Sequence, residues 1–381
     1  MSPSATLAEP TSSAARTRGA GQLTFRWGIL GTGHAARKFA LGLRQSEVPA
    51  TVALVASRSA VNAQRFARDM SVPQAVVSYD EAVAAADGVD AYYIATPPRE
   101  HRPLALRCIE AGKPVLIEKP FAVDATAAEE IVDAARRHGV FCMEGMWMRF
   151  LPLVRDLKRM VDDGSIGEVR AISGSFGSAT TPAVDKALYD AELGGGALLH
   201  RGIYPLSMAS HLMGAPVDVM SSATLTESGI DEESVVVARH SQGGISTAFS
   251  SLRTQPANDC SVLGTSATVH VDAPIYRPYR MTITRVGTPV DCASAGVRLE
   301  RLKEGPVLQR VNQRVSSLRR LARGGSSSTV TRFYDGNGYH YEADEVARCI
   351  QAGALESEVM PLDESLDVAR AITLARAQWP R

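Results

Sequence analysis

The sequence predicts an α/β protein in two parts, a mostly parallel sheet flanked by helices followed by a domain that carries a largely antiparallel sheet. Three observations predict this. From Thr24 to about Gly145, short apolar runs alternate with helical patterns, as in a βαβ series. Beyond Phe150 the texture changes to longer stretches that alternate apolar and polar residues, as half-buried antiparallel strands do. A glycine-rich turn joins the first apolar run to the first helical pattern.

In chain order, residues 1–23 are rich in Ser, Ala, Thr and Gly, carry no apolar run and read as a disordered tail. The first domain, 24–148, holds apolar runs at 25–30, 51–56, 91–95, 115–117 and 140–143, alternating with helical patterns such as 35–44, 59–70 and 101–111. The second domain, 149–381, holds alternating stretches at 169–175, 217–226, 234–240 and 245–252. A basic insertion near 297–331 follows. Val307, Val311, Val315 and Leu318 recur there at helical spacing, and the Gly-Gly-Ser-Ser-Ser run at 324–328 reads as a flexible linker. Helical patterning over 341–378, broken at Gly353 and Pro361, predicts two helices that close the second domain.

The 41 basic and 41 acidic residues cancel, so no global field recruits nucleic acid or an anionic membrane. Five scattered cysteines with no CxxC pair argue against a disulfide framework and against a zinc site, and fit a reducing, cytoplasmic setting. No run approaches the ~20 apolar residues that cross a bilayer. The partners are therefore to be read from local sites.

The turn Gly31-Thr32-Gly33-His34-Ala35-Ala36 is a G-x-G-x-x-A sequence placed between strand and helix. Gly31 permits the tight turn, Gly33 lets backbone approach a pyrophosphate, and Ala36 allows close helix packing, which makes Gly31, Gly33, His34 and Ala35 candidate dinucleotide contacts. The second run ends Ser57-Arg58-Ser59, without the acid that usually binds the ribose hydroxyls of NAD. Arg58 can pair with a 2′-phosphate while Ser57 and Ser59 donate to it, so NADP(H) is preferred and NAD(H) remains possible; a surface arginine beside a helix cap is the alternative. Thr96 and Pro97 end the third run, where ligands bind in parallel sheets. His101 begins the next helix, as a cap, an exposed ring or a ligand contact.

Glu118-Lys119-Pro120 ends the next run and places a lysine at the carboxyl edge of the sheet, where its ammonium can hold a substrate oxygen. Trp147, Arg149 and Phe150 follow the last strand near the interdomain cleft, either to bind a sugar face or to pack in the core. Together with Gly194-Gly195-Gly196 and, further on, Gly202-Ile203-Tyr204, these motifs occur in a familiar order. The chain resembles the glucose-fructose oxidoreductase, inositol dehydrogenase and MocA family. The stretches 143–152 and 336–345 are most similar to the branch of dimeric dihydrodiol dehydrogenases and NADP-dependent xylose dehydrogenases.

The resemblance implies a Rossmann domain, an open-faced mixed sheet in the second domain, and homo-oligomers, dimers or tetramers, formed through that face. It implies hydride transfer between a nicotinamide and a CH-OH or ketone carbon of a sugar, polyol or related small molecule. It assigns Lys119 as the catalytic lysine, with a cis peptide before Pro120, and Tyr204 as the acid/base, whose pKa a nearby Lys119 would lower. His200 stands where the family commonly carries an aspartate. It either relays protons with a free pKa of ~6.5, binds a substrate hydroxyl, or marks lost chemistry, in which case the chain would be an NADP(H)- or metabolite-sensing protein. Arg201 adds a second cation to the substrate side, matching a carboxylate or phosphate.

Overall fold

The structure is a computed structural model that describes residues 24–84, 87–286 and 327–380. The predicted tail 1–23, Cys292 and the helical pattern at 307–318 lie outside the described residues.

Strands β1 (Phe25–Leu30), β2 (Ala50–Ala56), β3 (Gln74–Val76), β4 (Ala91–Ile94), β5 (Val115–Glu118) and β6 (Cys142–Gly145) form one sheet in the order β3-β2-β1-β4-β5-β6. Every pairing in it is parallel. Its strands are apolar on both faces because both are covered. Trp27, Ile29 and Tyr93 face one core, while Leu30, Tyr92 and Ile94 face the other. Strand order reverses between β1 and β4, which opens a crevice at the carboxyl ends of these two strands.

The covering helices start and stop where the sequence supplies the means. Helix α1 (His34–Gly42) begins at Gly33, and α2 (Ala60–Met70) is capped by the Ser59 hydroxyl accepting from the Asn62 N–H. After α3 (Tyr79–Ala84) and α4 (His101–Glu110), α5 (Ala125–His138) has Asp124 as its N-cap and ends on Gly139 in the left-handed region.

Helix α6 (Pro152–Asp162) leads into the second sheet, made of β7 (Val169–Gly177), β8 (Pro216–Leu225), β9 (Asp231–His240), β10 (Ile245–Ser251), β11 (Cys260–Gly264), β12 (Ala267–Val271), β13 (Arg280–Arg285) and β14 (Ser327–Thr331). The order is β14-β13-β12-β11-β7-β10-β9-β8, antiparallel except between β7 and β10. Ser327 and Ser328, read in the sequence as linker, pair with β13; the ladder uses backbone groups, so small polar side chains do not prevent it. One face packs Ile172, Val236, Ala238, Ala248 and Val262 into the core behind α7 (Ile203–Met213). The other face is open: Met220, Val235, Ile245 and Leu263 are exposed on it.

The two C-terminal helices do more than close the second domain. Helix α8 (Tyr339–Gln351) packs on α1, and its Asp344 carboxylate accepts from the N–H groups of Glu47 and Val48 at 2.9 and 3.0 Å. Helix α9 (Leu362–Arg376) lies between α5 of the first sheet and β8 of the second.

Candidate active site

The parallel-sheet crevice begins at Gly31, whose φ of +113° and whose approach to β4 exclude any side chain: a Cβ there would lie 2.3 Å from the Ala95 carbonyl oxygen. A Cβ on Gly33 would meet nothing within 4 Å, so the entry to α1 has open space in front of its N–H groups. Thr96 carries a buried hydroxyl with no partner, facing the same turn that Pro97 continues. These features fit a dinucleotide phosphate cradle.

At the end of β2, Ser57 is buried and its hydroxyl accepts from the Ser59 N–H at 3.3 Å. Both serine oxygens act as acceptors within the protein, which leaves their hydroxyl hydrogens for an incoming acceptor. Arg58 is exposed and pairs with Glu100 at 3.2 Å across the crevice mouth. The arginine is thus held at the mouth of the crevice by a surface pair that an anion can replace.

Glu118 is buried, accepts from the Tyr93 hydroxyl at 2.7 Å and also meets Tyr339; burial raises its pKa. The Lys119–Pro120 peptide is cis. Half-buried, Lys119 has its pKa lowered by burial, with Arg201 acting in the same direction and Glu118 against it. His101 is buried between two carbonyls, Pro120 O and Thr96 O, each at 2.9 Å from a ring nitrogen. It ties the loop after β4 to the loop after β5, and burial pushes its pKa down to about 4. The exposed ring is excluded.

The second domain supplies the opposite wall. Gly196, at φ +120°, leaves room for the Asp231 carboxylate, which accepts from the Leu198 N–H at 2.7 Å and anchors the start of a π-helical turn at Leu198–Gly202. That turn sets Arg201 and, two residues beyond its end, Tyr204 toward the cleft. Tyr204 is buried, and the Trp147 indole N–H donates to its hydroxyl at 3.4 Å. Trp147 in turn stacks on Tyr339 at 4.9 Å, and Phe176 meets Tyr204 edge-on at 5.4 Å.

A cavity of about 840 Å³ runs between the walls and is lined by His34, Ala35, Lys38, Glu118, Lys119, Trp147, Arg201, Tyr204 and Arg277, among others. The ammonium of Lys119 sits over the Tyr204 ring, 5.2 Å from its centroid. Burial, followed by Glu118, raises the Tyr204 pKa, so the expected lowering by Lys119 does not occur in this pocket. Desolvation of the phenolate dominates here.

Three expected site residues stand elsewhere. Arg149 is fully buried, donates to Ser207 Oγ at 2.9 Å and pairs with Glu364, so it braces α7 and α9 and does not reach the cavity. Phe150 is a core residue. The 3-10 turn Trp147–Phe150 sends neighbouring side chains in different directions, and of these three only Trp147 lines the cavity. His200 does not line it either. Its Nε2–H donates to the Gly194 carbonyl at 3.0 Å, and burial, then Lys119, push its pKa down to about 3, which removes it from proton exchange near neutrality.

Cavity residues that sequence reasoning missed include Phe176, Ser178, Gln255, Asn258, Tyr276, Arg277 and Tyr339. Most sit outside any motif. Tyr339 lies in the stretch 336–345 that carried the resemblance, which was its only signal.

Comparison with known proteins gives matches over most of the chain. Residues 25–146 match the family described as "Oxidoreductase family, NAD-binding Rossmann fold", and residues 154–270 match the "GFO/IDH/MocA C-terminal domain". A trans-1,2-dihydrobenzene-1,2-diol dehydrogenase of Bos taurus is 32% identical over 90% of this chain and 93% of its own, and one of Danio rerio is 29% identical over 93% and 97%. Among solved structures, an aldose-aldose oxidoreductase from Caulobacter crescentus, complexed with glycerol, superposes with a TM-score of 0.75 at 22% identity, covering 93% of this chain and 98% of that one. A 3-ketoreductase from Actinomadura kijaniata, in complex with NADP and TDP-benzene, superposes with a TM-score of 0.74 at 21% identity, covering 94% and 98%. These two likenesses establish a shared fold.

Proposed function

The chain belongs to the GFO/IDH/MocA family of oxidoreductases, and from that premise we propose that it is an NADP(H)-dependent enzyme acting on a hydroxyl or ketone carbon of a sugar, polyol or related small molecule. The observation that carries the reading is that Lys119 and Tyr204, from different domains, meet at 5.2 Å in one cavity that opens onto the glycine turn of α1.

Gly31, Gly33, His34, Ala35, Thr96 and Pro97 would hold the dinucleotide, with Arg58, Ser57 and Ser59 at its 2′-phosphate. The bound nicotinamide supplies or accepts the hydride. Lys119 orients the reacting oxygen and stabilises negative charge on it. Tyr204, kept protonated by burial, is set up as the general acid that delivers its phenolic proton to that oxygen in the reductive direction. Trp147, buried beside the Tyr204 hydroxyl, fixes its orientation. His200 donates to backbone from a neutral ring and serves as a brace for the glycine loop.

The same reading includes a reducing cytoplasmic setting and a homo-oligomer. Cys108, Cys142, Cys260 and Cys349 are free, and no helix among the described residues is long and apolar enough to cross a membrane. Met220, Val235, Ile245 and Leu263 share the open face of the second sheet, a surface suited to a second copy. The central test is NADPH oxidation with a panel of sugars, ketoses and related ketones by the wild type, Lys119→Met and Tyr204→Phe. Turnover that survives both substitutions would refute the assignment of the acid and the cation.

A further inference from the structure

We infer that the substrate of this cavity carries a carboxylate, and that Arg201 is the residue that selects it. The inference rests on the reading above for the position of the reacting carbon at Lys119 and Tyr204.

Three arginines stand close to the site, and they are not equivalent. Arg149 is buried against Glu364 and Ser207. Arg277 donates from Nη2 to the Gly336 carbonyl at 2.7 Å and from Nε to the Tyr334 hydroxyl at 3.2 Å. Arg201 makes no ion pair among the described residues. Its guanidinium lies 4.9 Å over the Phe176 ring, Nη2 donates to Ser178 Oγ at 3.2 Å, and its Nε–H is enclosed with no acceptor. A buried donor without a partner is costly, and an anionic acceptor entering the cavity is the group that would relieve it.

The position of Arg201 suits recognition rather than chemistry. Phe176 separates it from the Tyr204 ring, and Lys119 lies over that same ring. A substrate oxygen held at Lys119 and Tyr204 therefore leaves Arg201 and Ser178 for a group further along the same molecule. Lys119 is committed to the reacting oxygen, which leaves the single charge of Arg201 for that group. One guanidinium with one hydroxyl matches the charge and the two acceptor oxygens of a carboxylate, and the other arginine of the lining, Arg277, is already engaged by Gly336 O and the Tyr334 hydroxyl. Glu118, the carboxylate in the lining, is occupied by Tyr93 and Tyr339 and does not compensate Arg201. A neutral sugar hydroxyl could accept from the Nε–H but would leave the guanidinium charge without a counter-charge.

The test uses matched pairs that differ in one group, D-glucuronate against D-glucose and D-gluconate against D-glucitol, with D-glucose 6-phosphate as the phosphate arm. Equilibrium binding to the protein saturated with NADP(H) is measured by calorimetry, and kcat/KM is measured wherever a compound turns over. In the wild type the acid is expected to bind at least about tenfold more tightly than its neutral counterpart, and Arg201→Gln is expected to reduce that ratio by about tenfold to a hundredfold. Arg201→Lys, which keeps the charge without the planar fork, should retain an intermediate ratio, and the affinity for NADPH reports that each variant is folded. Equal ratios in wild type and Arg201→Gln, or a preference for the phosphate, would overturn this inference while Tyr204-dependent turnover of neutral compounds left the proposed reaction standing. Failure to bind NADPH would instead refute the proposed function.

Discussion

The ammonium of Lys119 lies over the face of the Tyr204 ring, 5.2 Å from its centroid. The two groups can therefore act on one substrate oxygen from different directions, the lysine as fixed charge and the tyrosine as proton donor. Tyr204→Phe is expected to lower kcat for ketone reduction by about a hundredfold to ten-thousandfold, with a much smaller change in KM. The lowered pKa of Lys119 places the alkaline limb of kcat/KM below the ordinary lysine value of 10.5, and Lys119→Arg should move that limb upward. A profile whose alkaline limb is the same in Lys119→Arg would show that another group titrates there.

The pair between Arg58 and Glu100 sits at the mouth of the dinucleotide crevice. Arg58→Ala should weaken NADPH binding by about tenfold to a hundredfold and change NADH binding by less than about threefold. Glu100→Gln, which releases Arg58, should tighten NADPH binding slightly, most visibly at low salt. Fluorescence titration of the wild type and both variants measures these affinities; parallel losses for both cofactors in Arg58→Ala would remove Arg58 from the 2′-phosphate.

Arg149 illustrates the opposite case, a cation placed for stability. Arg149→Ala leaves Glu364 unpaired beside the buried Ser207 hydroxyl and is expected to cost about 3 kcal/mol of unfolding free energy, Glu364 being only partly buried. Denaturant unfolding of the apo protein checks this, and KM at a temperature where the variant is folded should stay within about twofold.

His101 and His200 are held neutral, with pKa values pushed down to about 4 and about 3. An unfolded histidine takes up its proton near pH ~6.5, so below that value the unfolded state binds more protons than the folded one. The stability these neutral rings contribute is thus complete above pH ~6.5 and declines as pH falls toward 4, at up to about 1.4 kcal/mol per pH unit for each ring. Unfolding followed from pH 7 to pH 4.5 should show this slope, and His200→Asn should flatten it; a slope unchanged in that variant would assign the acid sensitivity elsewhere.

The first sheet was largely readable because each of its main strands is a short apolar run bounded by turn residues. Strand β3 was missed: Gln74–Val76 is three residues long, at the edge, with only Val76 buried. Strand β13, Arg280–Arg285, carries polar residues on its outer positions and a single fully buried Met281, too weak a period to stand out. Ser327–Thr331 has almost no side-chain signal, and only its pairing with β13 makes it a strand. In the site, Gly31 and Lys119 were legible because each directly follows a strand of the parallel sheet, whereas Tyr204 was legible only through the family resemblance. Arg149 and Phe150 were misplaced because proximity to Trp147 in sequence does not fix the side to which a 3-10 turn sends them. Phe176 and Tyr276 come from distant segments and meet Tyr204 only through the packing of the second sheet against its own core.

Tyr339, whose hydroxyl closes over Glu118 and whose ring stacks on Trp147, is separated from Lys119 by more than two hundred residues of chain. During synthesis the ribosome therefore releases every strand of the nucleotide crevice long before the residue that roofs it. An interrupted chain can own the phosphate turn and the lysine yet have no enclosed reaction chamber. The last helices thus complete the chamber: without them the glycine turn and Lys119 would lack the tyrosine that closes over Glu118 and stacks on Trp147.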